Sequence, residues 1–142
     1  MQIYVSRYSN PTLKAGEVTP VCTSRGRPKW PLPYELEYEV EQLMPRGWML
    51  ALDKDRFVTE YEKHLEKVGV SQIREAIREV EDATGLPVCL LCYEDVRDPE
   101  TYCHRSVFAR WWTDKTGWPV TELQDPTRSP APQPDGQGSL FE

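Results

Sequence analysis

Hydrophobic positions change period several times along this chain, and each change marks an element. In "IYVSRYS" (3–9) apolar and polar residues alternate among β-formers, which predicts an opening strand. "VTPVCTS" (18–24) reads as a second short strand, with Pro20 near its start, where a missing N–H is tolerated. Residues 57–68 place Phe57, Tyr61, Leu65 and Val68 on one helical face, and 71–84 do the same with Ile73, Ile77, Val80 and Thr84. Ser71 is the expected N-cap of that second helix, Gly85 its first residue beyond the end, and Pro87 bars continuation. "VCLLCY" (88–93) does not alternate at all, as expected of a strand buried on both faces of a parallel sheet. A helix from about His104 to Thr116 follows, with Phe108, Trp111 and Trp112 inward and a stop at Gly117. "PVTEL" (119–123) predicts a last short strand.

Between these lie two less regular stretches. "RGRPKWPLPYE" (25–35) can be neither helix nor central strand, because each proline lacks an N–H and restricts its predecessor. "YELEYEVEQLM" (34–44) predicts a short acidic helix ending before Pro45. Strand, helix, strand in this order is a βαβ unit. The fold class is therefore α/β, a small Rossmann-like three-layer domain with a mainly parallel sheet over residues 1–123. From Gln124 onward, "QDPTRSPAPQPDGQGSLFE" has the composition of a flexible tail. No internal repeat is visible.

Composition narrows the setting. The 142 residues suffice for one domain with a real core. A net charge of -6 argues against broad, charge-driven affinity for nucleic acid, while leaving room for a local basic patch. No apolar run approaches the roughly 20 residues that cross a bilayer, and no basic leader precedes an apolar stretch, so a soluble, cytoplasmic chain is expected. In such a compartment the four cysteines, Cys22, Cys89, Cys92 and Cys103, are expected to be reduced.

The candidate chemistry is concentrated in "VCLLCYEDVRDPETYCHRSVFARWW" (88–112). Ligands of open α/β sheets gather at the carboxyl ends of strands. Cys92, Tyr93 and Glu94 occupy such an end, and Cys103, His104 and Arg105 open the following helix. A helix N-terminus favours anions and lowers a thiol's pKa. Arg105 can hold a phosphate or carboxylate there, and His104 or Glu94 can move protons. Other readings stand beside this one. Cys89, inside the apolar run, reads as core. Cys92 and Cys103 can be packed thiols or a pair formed on oxidation, and Arg105 can simply pair with Glu94. Cys92, Cys103 and His104, with or without Cys22, suit zinc by residue type. Their spacing matches no common zinc pattern, so no cofactor is expected and zinc is the lesser alternative.

Arg7, Arg25, Arg27 and Lys29 lie in loops at the same sheet edge and with Arg105 can form an anion-attracting pocket. Trp30 can stack a base, or tuck against the core. His64, among Glu62, Lys63 and Glu66, reads as a surface residue.

These motifs, "LLCYE…CHR…AxW", resemble the bacterial family catalogued as domain of unknown function 488. Its signature is a Leu-rich strand ending in Cys-x-Glu, then a loop and Cys-His-Arg. "IYVSRYSN" looks like that family's opening strand, "VTPVCTSRGRPKW" like the Pro-Lys-Trp segment of its short-chain subgroup, and "VTEL" like its closing strand, so the likeness spans residues 2–123. The matching positions are Lys29 and Trp30, then Cys92, Tyr93 and Glu94, then Cys103, His104 and Arg105. "PLPYELEYEVEQLMPRGWMLAL" departs from the pattern, being longer and more acidic than the subgroup's link. The resemblance implies a Rossmann-like fold and supplies no reaction.

The tail carries a separate signal. Gln137, Ser139, Leu140 and Phe141 resemble the short motif by which bacterial replication and repair proteins dock on the sliding clamp, two apolar anchors on a tether. Folding of Leu140 and Phe141 back onto the domain is the alternative. Two functions therefore stand at this point. One is an enzyme acting on a nucleotide, or on a modified or damaged base in nucleic acid. Cys92, Glu94, Cys103 and His104 would be its catalytic groups, and Arg105, Lys29, Trp30, Arg7 and Tyr93 would bind its substrate. The other is a non-catalytic adaptor of DNA replication or repair that docks through Gln137, Leu140 and Phe141. Thiol exposure discriminates between them.

Overall fold

The computed structural model describes residues 1–94 and 103–127. Five strands form one all-parallel sheet: β1 (Ile3–Arg7), β2 (Thr19–Cys22), β3 (Tyr38–Glu39), β4 (Val88–Cys92) and β5 (Val120–Glu122), in the order β3-β2-β4-β1-β5. Among the described residues there are three α-helices, α1 (Lys54–Val68), α2 (Val70–Thr84) and α3 (His104–Thr116). The α/β class and the parallel sheet expected from the sequence are both observed.

β4 is central, and all five of its residues are buried, which explains its unbroken apolar run. Alternate side chains of the sheet serve two different cores. Ile3, Val5, Val21, Val88 and Leu90 pack beneath α1, α2 and α3, with Phe57, Tyr61, Leu65, Ile73, Ile77, Phe108, Trp111 and Trp112 closing over them. Each large apolar side chain so buried contributes about 1.5–3 kcal/mol. Cys22, Cys89 and Leu91 face the other way, into a smaller cluster with Tyr8, Leu13, Val18 and Met44. That second face is covered by the 3-10 turn Pro11–Ala15 and by Leu32, Tyr34 and Leu36 of the proline-rich stretch. Its outer layer is thus loop and turn rather than α-helix.

The helix termini follow their chemistry. Asp53 caps α1 by accepting from the Arg56 N–H at 2.9 Å, and Gly85 ends α2 at φ 74°, in the left-handed region glycine favours. Ser71 is not the cap of α2: the helix starts at Val70, after Gly69 at φ 91° and ψ 152°, a backbone few other residues adopt.

A further expectation fails. Residues 34–44 are not a helix but an extended segment containing β3, followed by the 3-10 turn Glu41–Leu43. Leu32, Tyr34, Leu36, Tyr38 and Val40 are each buried or half-buried while Pro33, Glu35, Glu37 and Glu39 are exposed, a strict period of two. Residues 124–127, which composition assigned to the tail, make specific contacts with the domain. Gln124 accepts from Asn10 at 3.0 Å, and Asp125 pairs with Arg7 at 2.7 Å, so residues 124–127 are tied to the end of β1.

Candidate thiol site at the carboxyl edge of the sheet

Because every strand is parallel, all five carboxyl ends lie along one edge: Arg7, Cys22, Glu39, Cys92 and Glu122. The strand parity sends Cys92 to the helical face, like Val88 and Leu90, and Thr23 to the same side as Val21. There they meet Cys103, the N-cap residue of α3, and the first two residues of that helix, His104 and Arg105. All three are buried.

Cys92 and Cys103 are joined as a disulfide across 11 residues, which corrects the expectation of four reduced thiols; Cys22 and Cys89 are free and buried. The Cα atoms of the pair stand 7.1 Å apart, just beyond the spacing of about 4.4–6.8 Å usual for a disulfide. Arg105 and His104 treat the two sulfurs differently. Arg105 Nη1 donates to Cys92 Sγ at 2.9 Å and to the Glu94 carbonyl at 2.7 Å. Its other nitrogens clamp the Glu122 carboxylate, Nη2 to Oε2 at 2.9 Å and Nε to Oε1 at 3.3 Å. The guanidinium side chain is 1% exposed and Glu122 41%, so a buried cation is neutralised by a carboxylate that remains wet. The expected partner was the Glu94 side chain. That side chain is exposed, and Glu94 contributes its backbone instead.

His104 serves the other sulfur. Thr23 Oγ1 donates its one proton to the Leu91 carbonyl at 2.7 Å, so it can only accept from His104 Nε2, 3.0 Å away. The neutral ring therefore carries its proton on Nε2, leaving the Nδ1 lone pair facing Cys103 Sγ at 3.7 Å. Burial lowers the His104 pKa to about 4; its hydrogen bonding with Thr23 opposes the shift and the Arg105 charge reinforces it. At neutral pH the ring is an uncharged proton acceptor. Cys89 behaves differently: burial above all, with the Glu122 charge, pushes its thiol far up and keeps it inert.

Cys92, Cys103 and His104 place one sulfur, one sulfur and one nitrogen within 4.8 Å of one another. A metal needs thiolates. This donor set becomes available only when the disulfide is open.

The remaining expected site residues separate. Tyr93 is 39% exposed, donates to the Gly26 carbonyl at 2.6 Å, and lies between Tyr8 and Trp30, at ring distances of 5.0 and 6.0 Å. Trp30 is 46% exposed, so it borders the edge rather than the core. Lys29 is exposed beside it. The basic loops do not converge as a free patch. Arg7 engages Asp125 and Thr127, Arg27 binds Glu39 at 2.8 Å and the Leu36 carbonyl at 2.7 Å, and Arg25 donates to the Pro45 carbonyl at 2.6 Å. His64 is half-buried rather than on the surface, stacked on Tyr61 with Nε2 on the Gln42 carbonyl at 2.9 Å. Gln137, Leu140 and Phe141 lie outside the described residues.

Sequence reasoning missed Thr23 and Glu122. Thr23 sits one residue beyond β2 at the parity of Val21, and Glu122 is a lone carboxylate at a strand's carboxyl end; both signals needed the strand order to be read. No helix among the described residues is long and apolar enough to cross a membrane. No family model, curated protein or solved structure matches the chain.

Proposed function

We propose that the chain is a thiol-dependent enzyme in which Cys92 is the nucleophile and Cys103 its resolving partner. Both sulfurs are buried, so exposure does not favour the enzyme; the observation that carries this reading is the asymmetry at the two sulfurs, a guanidinium on Cys92 and a neutral imidazole nitrogen on Cys103. A cation donating to sulfur favours the thiolate, the reactive form, and an accepting imidazole can take the proton of the second thiol when it attacks the first. The disulfide is the oxidised state of such a centre. Two electrons from a thiol reductant open it, leaving a thiolate beside Arg105 and a thiol beside His104. The likeness of "LLCYE" and "CHR" to domain of unknown function 488 supports membership of that family as part of the same proposal.

For the substrate, the exposed rings of Trp30 and Tyr93, with Lys29 next to them, support a nucleotide or a modified base in nucleic acid, stacked at the rim one residue from Cys92. Engagement of Arg7, Arg27 and Arg105 by carboxylates leaves Lys29 as the cation for its phosphate. The test is alkylation of the reduced protein followed by peptide mass spectrometry, with and without a panel of nucleotides and short DNA. Rapid labelling of Cys92 at neutral pH, slowed by one ligand class, is the expected result. Four slow, ligand-indifferent cysteines would overturn the enzyme reading. The adaptor reading rests on Gln137, Leu140 and Phe141, and is tested by whether Leu140→Ala with Phe141→Ala removes binding to a bacterial sliding clamp.

A further inference from the structure

A cleft of about 540 Å³ opens among the 3-10 turn Gly47–Ala51, α1 and the start of α2. Its lining combines Arg46, Lys63 and Lys67 with Trp48, Gln42 and Gln72, and among the described residues it includes no carboxylate. In a chain with 23 acidic and 17 basic residues that sorting is unusual. The adjoining groove shows the contrast. It shares Lys63 and Lys67 but sets them against Glu62, Glu66 and Asp114, and Lys115 there pairs with Glu66 at 2.5 Å.

Three features of the cleft work against the fold's own stability. Lys63 and Lys67 are four residues apart on α1, where like charges repel. Lys63 has Glu60 at 3.3 Å, but Arg46 and Lys67 have no ion-pair partner among the described residues. Trp48 is 57% exposed although its neighbour Met49 is buried and anchors the turn, so the indole is held out in water. A cation cluster and an unpacked aromatic ring in one concave site are complementary to a ligand with an anionic part and a flat apolar part.

We propose that this cleft binds a nucleoside phosphate, its base stacked on Trp48, its phosphates held by Arg46, Lys63 and Lys67. Gln42 and Gln72 offer carboxamides for the base or sugar edges. The site is separate from the thiol centre. His64 on the cleft wall stacks on Tyr61, 5.8 Å between ring centres, and the buried Tyr61 stands between it and the thiol centre as a neighbour of His104 at 5.6 Å. The cleft shares no lining residue with the thiol centre, so the proposal does not depend on the thiol reading.

Calorimetric titration of the full chain with ATP, with tripolyphosphate and with adenosine tests it. ATP should bind, tripolyphosphate about tenfold more weakly because stacking is lost, and adenosine weakly or not at all. Trp48→Leu should bring ATP down to the affinity of tripolyphosphate, and Arg46→Glu should weaken both by at least about tenfold. Lys115→Ala, in the adjoining groove, should change neither. Arg46 and Trp48 are exposed, so these variants are expected to fold, which their circular dichroism spectra would check. Absence of ATP binding, or ATP binding indifferent to Arg46→Glu, overturns the proposal. Equal binding of ATP and tripolyphosphate that Trp48→Leu leaves untouched overturns its nucleoside part.

Discussion

Acidification from pH 7 to pH 5 should destabilise this protein through one residue, His104. The folded-state pKa is about 4, lowered first by burial, against an ordinary value of 6.5. A group whose pKa is depressed on folding contributes stability above its unfolded pKa and loses it as pH falls toward the folded one, here between 6.5 and about 4. At pH 5 the unfolded ring is almost fully protonated and the folded ring barely so. The linkage relation then gives a loss of about 2 kcal/mol relative to pH 7. The groups facing the ring leave this sign unchanged. Arg105 is a cation and Thr23 Oγ1 has its proton committed to Leu91; the hydrogen bonding of the ring with Thr23 opposes the shift but does not outweigh burial. The assay is urea unfolding at pH 7 and pH 5, on the oxidised protein, for the native chain and for His104→Gln. Subtracting the variant's pH dependence removes the contributions of all other titrating groups. A difference of about 2 kcal/mol is expected. Identical pH dependence in the two proteins would refute the reasoning, as would an NMR titration of His104 near its ordinary value.

Other perturbations bear on the same site. Reducing the Cys92–Cys103 bond frees a loop of sequence separation 11, which should cost at most about 3 kcal/mol and lower the melting temperature by roughly 10 °C in calorimetry. Thr23→Val removes the acceptor for His104 Nε2 and the donor to Leu91; a loss of about 1–3 kcal/mol is expected in denaturant unfolding, together with slower re-formation of the disulfide after reduction. Glu122→Gln leaves the Arg105 cation buried without its counter-charge. Its destabilisation, about 1–3 kcal/mol once discounted because Glu122 is partly exposed, is expected as a lower midpoint in urea unfolding at constant pH. An unchanged midpoint for Glu122→Gln would mean that Arg105 is not held by this pair.

Much of the fold was legible because its strongest patterns are local. α1, α2 and α3 show their apolar faces at helical spacing, and β4 announces its central position by having no polar face to show. Residues 34–44 read as a helix because their glutamates are good helix formers. The alternation from Leu32 to Val40 was the better guide: packing of Leu32, Tyr34 and Leu36 over the second face outweighs intrinsic propensity. The site was half visible. Cys92, Cys103, His104 and Arg105 follow from one strand end and one helix start, and the structure brings them together. Their partners do not follow. Thr23 comes from β2 and Glu122 from β5, strands on opposite sides of the sheet, and only the order β3-β2-β4-β1-β5 shows that both border the β4–α3 junction. The basic loops misled for a related reason. Arg7 and Arg27 look unpaired along the sequence, but their carboxylates lie 118 and 12 residues away.

The central claim is that the two sulfurs have different roles, and single-cysteine replacement addresses it most directly. Reduced Cys103→Ser and reduced Cys92→Ser would each be mixed at pH 7 with an aromatic disulfide whose departing thiolate is coloured. In Cys103→Ser the remaining Cys92, beside Arg105, should release the chromophore rapidly, at a rate that Arg105→Met slows by about tenfold. In Cys92→Ser the remaining Cys103, buried like Cys92 but without a guanidinium on its sulfur, should react slowly. Equal rates in the two variants, or a faster Cys92→Ser, would contradict the assignment of Cys92 as the nucleophile.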